Sequence, residues 1–202
     1  MSKIAFVGGK LVDGTGAAPV EDSLVLVDDK KIAYAGPRTE VPEGYEVRDI
    51  QGRTIMPGLI DTHLHFSGNL TDNDNDWVIE SVAQKQACAV KQSWDALSHG
   101  LTTVCEIGRN GIAIRDLVNM GVMEGPRIYA TGLGFCRVAG HGDCHQLPQE
   151  ISKNGHPWGD QVDGPWDLRK AVRRRLRENP DAIKIWATGG GIWHWDSGRD
   201  QH

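Results

Sequence analysis

The sequence predicts an α/β fold with a parallel sheet, preceded by a smaller piece made of short strands. Three observations carry that expectation. From residue 56 onward, apolar runs of strand length alternate with helix-length amphipathic segments, in the order strand, helix, strand, helix, strand, helix, strand. Helix stops such as Gly100, Gly121 and Asn179-Pro180 separate them. Residues 1–55 show short strand-like runs instead, punctuated by Gly8-Gly9 and Gly14-Thr15-Gly16. The expected organisation is thus a β-rich unit over 1–55 and a β/α unit over 56–202.

In the first unit, Ile4–Val7, Ser23–Val27 and Lys31–Ala35 are the clearest strands, and Asp28-Asp29-Lys30 makes a tight hairpin connection between the last two. The glycine turns do not form a phosphate loop, because Lys10 lacks the G-x-x-x-x-G spacing and no helix follows. So short an antiparallel piece buries little core and is expected to lean on something else.

In the second unit, Leu59-Ile60 reads as a strand buried on both faces, as parallel strands are. Trp77–His99 is expected as one helix with Ile79, Val82, Ala83, Ala87, Val90, Trp94 and Leu97 inward. Leu101–Cys105, Arg127–Thr131 and Ala182–Ala187 are the following strands, and Ile112–Met120 is a short helix. Residues 132–164, rich in Gly, Asp, His and Pro, read as one long loop, and loops of that length usually serve function. A helix opening at Pro165 should bury Leu168, Ala171, Val172 and Leu176, leaving Arg169, Lys170, Arg173, Arg174, Arg175 and Arg177 as a solvated face.

Composition narrows the function classes. The formal charge is −5, from 22 basic and 27 acidic residues, with no face-wide basic surplus to suggest nucleic acid or an anionic membrane. No apolar run reaches the roughly 20 residues that span a bilayer, and the first ten residues lack the apolar core of a secretory signal. Cys88, Cys105, Cys136 and Cys144 have no C-x-x-C spacing, so a reduced, cytoplasmic setting is expected.

Two features point to chemistry. His63 and His65 end the first strand of the β/α unit; residues two apart on a strand share a face roughly 6 to 7 Å apart, so both imidazoles can grip one metal ion. They fall at the carboxyl end of the strand, where parallel α/β proteins place their sites. Asp61 shares their parity and is placed to orient an imidazole from behind. The bland alternative is a pair of polar residues closing a strand. The second feature is Lys184, set among apolar residues of a strand expected to be buried. An isolated ammonium there costs several kcal/mol unless it is neutralised or paired. Such a lysine is either pushed toward a reactive free amine, or it snorkels to the strand end or pairs with a carboxylate.

The segments PGLIDTHLH, GLTTVCEIG at 100–108, GPRIYATG at 125–132, AGHGD at 139–143 and DGPWDLRKAVRRRLRENPDAIKIWATGGG at 163–191 together resemble the amidohydrolase superfamily, in particular its imidazolonepropionase-like branch with metal-dependent Xaa-Pro and Xaa-Arg peptidases. The resemblance implies the first half of a (β/α)₈ TIM barrel preceded by part of a small β-sandwich. It implies a binuclear centre of two divalent metal ions, usually Zn²⁺, with His63 and His65 on one metal. Lys184 would be carbamylated by CO₂ and bridge both. His141 would line the substrate pocket; Arg137 is offered as a fork for a substrate carboxylate. Cys144, His145 and His194 match no motif of the family.

The implied reaction is hydrolysis of an amide or peptide C–N bond, in a dipeptide or N-acyl amino acid, by a hydroxide bridging the metals. The family pattern also needs histidines from strands five and six, an aspartate from strand eight and the strands that finish the sandwich, none of which occurs in these 202 residues. A C-terminal half supplied as a second chain, in an oligomer, is therefore the expected partner. The alternative is a non-catalytic truncated fragment or interaction subunit that keeps the ligands.

Overall fold

The computed structural model describes residues 2–69, 71, 79–145, 147–152 and 159–190. Residues 1–58 and 59–202 form two compact units.

The first unit holds β1 (Lys3–Val7), β2 (Lys10–Leu11), β3 (Ser23–Asp28), β4 (Lys31–Pro37), β5 (Glu46–Asp49) and β6 (Thr54–Ile55). Its larger sheet runs β4-β3-β1-β5, and β2 pairs with β6. The β3–β4 hairpin turns at Asp29, whose φ of 56° is the left-handed conformation that Asp tolerates better than most residues. Alternation on β1 and β3 sends Ala5, Val7, Leu24 and Leu26 into one small core with Tyr34, Val41 and Tyr45 at its margin. The piece is not purely antiparallel: β5 runs parallel to β1, and β6 to β2. The longer connections after β1 and β2 permit that return, which strand patterning alone does not reveal.

The second unit opens with β7 (Leu59–Leu64), α1 (Val82–Ser98), β8 (Leu101–Glu106), α2 (Gly111–Asn119) and β9 (Arg127–Ala130). These strands form a parallel sheet in the order β7-β8-β9. Its core joins Val104, Ile128 and Ala130 from the sheet to Ala89 of α1, Ile114 of α2 and Phe66 just past β7. The remainder is β10 (Gly134–Cys136), α3 (Gln149–Ser152), β11 (Gly159–Gln161) and α4 (Gly164–Leu176).

Several expectations are corrected. Leu59 and Ile60 are 49% and 67% exposed rather than buried on both faces. β7 is an edge strand among the described residues, and α1 packs on β8 through Ala89 instead of covering β7. The helix expected from Trp77 begins at Val82, because Ser81 and Gln84 form a reciprocal capping box; 77 and 78 lie outside the described residues. Its buried stripe is Ala89 and Ser93, flanked by Val90 and Ala96, while Val82 and Trp94 stand more than half exposed. Small side chains win that face because the helix approaches closely: a Cβ on Gly125 would sit 3.1 Å from Ser93 Oγ.

The 132–164 segment is not one loop. β10 and β11 pair in parallel inside it, and α3 lies between them. Ala182–Ala187 makes a single parallel bridge, Ile185 to Phe135, in place of a full strand, and Ile185 is half exposed. On α4, Arg175 turns inward and Leu176 outward. Arg175 finds Asp160 at 2.9 Å, Glu178 one turn on, and the Phe135 ring at 5.8 Å, so its charge and its apolar stem are both accommodated. None of the four cysteines is disulfide-bonded.

Candidate metal centre

His63 lies one residue before the end of β7, and His65 follows its last residue directly. Their ring centroids are 5.3 Å apart and nearly perpendicular, at 82°. Asp61 Oδ1 accepts a hydrogen bond from the His63 backbone N–H at 2.9 Å and so braces the strand end that carries the imidazoles. His65 donates from its ring to the backbone of Ile107, whose own N–H bonds Leu64 O at 2.9 Å. Nδ1 is the nitrogen facing that segment, 3.7 Å from where a Cβ on Gly108 would lie. A ring hydrogen bond to a backbone carbonyl favours one imidazole tautomer, as is common for metal-binding histidines.

The His65 imidazole is held below its ordinary pKa, first by desolvation and then by the charges of His63, Lys184 and His141; the Ile107 bond opposes the shift. Depression keeps the ring neutral near pH 7 and available to a cation.

Lys184 is half-buried, not enclosed as its apolar neighbours suggested, since the segment carrying it pairs on one side through one bridge. Phe135 N donates to Lys184 O and Trp186 N donates to Phe135 O, both at 2.9 Å. The lysine Nζ lies 5.4 Å from the Trp186 ring centre. Trp186 itself occupies a slot with glycine walls: a Cβ on Gly134, Gly142 or Gly159 would come within 2.6 to 2.9 Å of its ring. His141 meets Trp186 edge-on at 6.2 Å. The AGHGD and KIWATGGG segments thus interlock through one indole, and Gly190 abuts the His141 ring, where a Cβ would lie 2.1 Å from Nδ1.

The loop bearing His141 is braced from beneath by Asp143. Its carboxylate accepts from Ala139 N at 2.9 Å, Gln161 Nε2 at 2.7 Å and Ser152 Oγ at 2.5 Å. Arg137 donates to Val138 O at 3.2 Å, and its Nε is buried without a partner. His194 lies outside the described residues. Among the described residues no group of three His, Cys, Asp or Glu side chains could hold a metal; the His63 and His65 rings are neighbours, and Lys184 acts on His65 through its charge.

Glu106 and Asn110 were not singled out from the sequence. Glu106 closes β8 at 0% exposure, beside the histidines. Burial pushes its carboxyl up to about 7, against the pull of the Phe66, Gly111 and Gly108 backbone N–H groups. The signal that exposed Lys184, a charge ending an apolar strand, was present here too.

The amidohydrolase family pattern matches residues 54–192. This chain belongs to the amidohydrolase family. An ochratoxinase of Aspergillus niger is 32% identical over 201 residues, covering 90% of this amidohydrolase chain and 41% of the relative. A 5-methylthioadenosine/S-adenosylhomocysteine deaminase of Symbiobacterium thermophilum is 29% identical, covering 93% and 46%. In structure, a prolidase complexed with N-methylphosphonate-L-proline superposes with a TM-score of 0.82 at 25% identity, over 97% of this chain and 49% of that one. The chain spans about half the length of the relatives it matches.

Proposed function

We propose that this chain carries one half of the metal centre of an amidohydrolase that cleaves a C–N amide or peptide bond. The observation that carries the reading is the pair of imidazoles at the end of β7, ring centroids 5.3 Å apart, with the charges of Lys184 and His141 also acting on the His65 ring. In this reading β7, β8, β9 and the Ile185 segment are the first strands of a (β/α)₈ barrel, and residues 1–55 belong to a flanking β-sandwich.

The donor set fits divalent metal, Zn²⁺ being the natural choice for imidazole ligands. His63 and His65 would hold one ion. Lys184, as a carbamate formed by attack of its free amine on CO₂ with release of a proton, would present two oxygens to a pair. When bound, such ions polarise a carbonyl and supply a nucleophilic water near neutral pH. The chain's own residues orient and enclose: Ile107 sets the His65 tautomer, Trp186 seats the Lys184 segment, and His141 and Arg137 line the substrate side. The prolidase relative and an Xaa-Pro dipeptidase of TM-score 0.78 favour a dipeptide or N-acyl amino acid as substrate. The remaining ligands are assigned to the portion of the barrel these 202 residues do not span, whether continuous with this chain or carried by a second one.

The test is metal analysis together with hydrolysis of a dipeptide panel, on this chain alone and with the completing half. Bound Zn²⁺ and turnover in the completed protein are expected, both lost in His65→Ala. Absence of metal and turnover in both settings would replace the reading with that of a non-catalytic subunit.

A further inference from the structure

Phe66 follows His65 directly, and both of its backbone groups are gripped by side chains some forty residues away. Glu106 Oε1 accepts from Phe66 N at 3.2 Å, and Asn110 Nδ2 donates to Phe66 O at 2.8 Å. Glu106 is 0%, Phe66 3% and Asn110 5% exposed. We propose that Glu106 and Asn110 are positioning residues, a two-sided clamp on Phe66 that fixes the direction of the His63 and His65 side chains. The inference rests on the reading of those histidines as metal donors.

Three features argue that the clamp is a specific device. Asn110 stands at the N-cap of α2, where an Asn side chain ordinarily caps the helix, yet it makes no cap bond and spends its amide on Phe66 instead. Glu106 lies in a cradle that only glycine permits: a Cβ on Gly108 would lie 2.6 Å from Oε1 and one on Gly111 2.0 Å from Oε2. Finally, the clamp acts where the ladder stops. The last β7–β8 register pair is Leu64 with Glu106, so beyond it nothing in the sheet itself holds Phe66. A strand end carrying two ligands needs a fixed backbone, because supports of this kind typically govern metal affinity by about 10- to 100-fold.

The experiment is carried out on the full chain with two readouts: Zn²⁺ affinity by chelator competition, and the His65 tautomer by ¹⁵N NMR of the imidazoles. The wild type should show one His65 tautomer, protonated on Nδ1. Glu106→Ala and Asn110→Ala should give mixed tautomers and bind Zn²⁺ about 10- to 100-fold more weakly. Glu106→Gln retains an accepting oxygen and should keep both properties. Asn110→Asp sets an oxygen against the Phe66 carbonyl while favouring the helix N-terminus, so it should lose both without loss of helix; this pair decides the matter if the alanine variants do not fold. Val104→Ala, a buried core change, should lower the melting temperature and leave tautomer and affinity alone. Alanine variants that keep tautomer and affinity, or that lose them only in step with Val104→Ala, overturn the clamp. If His65→Ala abolishes Zn²⁺ binding while the clamp variants change nothing, the metal reading stands and the clamp falls. If no variant binds Zn²⁺ but the tautomer follows the clamp, the clamp stands and the metal reading falls.

Discussion

The two sides of the candidate site are held in different ways. His63 and His65 stand at the end of a strand in a parallel ladder whose register shifts between Asp61 and Leu64, and the residue after them is tied at both backbone groups by buried side chains. Lys184 is carried by a segment with one bridge, a wedged indole two residues on, and an aspartate three residues before it. Backbone bonds to the buried Glu106 and Asn110 side chains fix the imidazole side; side-chain packing into glycine slots fixes the amine side. The first arrangement relies on bonded backbone groups, the second on close packing around one ring.

Removing a donor from either side should have the largest effect. His65→Ala is expected to abolish metal binding and, in the completed enzyme, turnover. Lys184→Ala should do the same, but only the wild type should take up more metal when bicarbonate is added. Zn²⁺ binding that ignores bicarbonate would leave Lys184 as an uncarbamylated amine and erase the chemical basis of the comparison.

Next in size is a pH effect confined to the imidazole side. Glu106 has a folded pKa of about 7, raised from an ordinary glutamate value by burial. The folded state therefore binds more protons than the unfolded state between these values, and stability falls as pH rises from about 4.5 through about 7. The full span corresponds to about 3 kcal/mol by linkage. Glu106→Gln, which cannot ionise, should flatten this slope in denaturant midpoints of the metal-free chain. An unchanged slope would show that Glu106 is ionised in the fold at low cost.

Much of the imidazole side was readable in advance. A two-residue period places His63 and His65 on one face whatever surrounds them, and a capped amphipathic pattern marks α1, although Ser81 sets its start later than hydrophobicity suggested. The amine side was less readable, for three physical reasons. A short strand that pairs through one bridge has the same composition as one in a full ladder. Trp186 is positioned by absent side chains at Gly134, Gly142 and Gly159, which no periodicity expresses. Arg175 looks like its neighbours in a basic run until Asp160 arrives from another element. The exposure of Leu59 and Ile60 was missed because the rule for parallel strands supposes cover on both faces.

The glycine slot gives the next largest effect, now on the amine side. Gly134→Ala would set a Cβ 2.6 Å from Lys184 Cγ and from the Trp186 ring at once. Overpacking of that kind costs about 1 to 3 kcal/mol, and the indole must leave its seat to relieve it. Trp186 fluorescence should shift toward that of a solvated indole, and bicarbonate-stimulated metal uptake should weaken while the His65 tautomer stays unchanged. Coupled loss on both sides would show that the two are one cooperative unit.

The smallest effect is expected at Asp181, the anchor at the start of the lysine segment. Its Oδ2 accepts from Ala130 N at 2.8 Å and from Arg115 at 2.7 Å. Desolvation alone would raise the carboxyl; the Ala130 N–H and the Arg115 guanidinium outweigh it and leave the pKa below the ordinary value. The Arg115 side chain is 6% exposed, but that of Asp181 is 36% exposed, so solvent screens much of the pair's attraction. Asp181→Asn retains an acceptor for Ala130 and removes only the charge opposite Arg115, which Asp116 also contacts at 2.9 Å. The expected loss is about 1 kcal/mol. Because the folded pKa is depressed, the Asp181 contribution is present above its unfolded value and disappears as pH falls through the folded one, so wild type and Asp181→Asn should converge in acid. A difference that persists there would mean that Asp181 acts through hydrogen-bond geometry and not through charge, and the amine side would then be held by the same kind of backbone anchoring as the imidazole side.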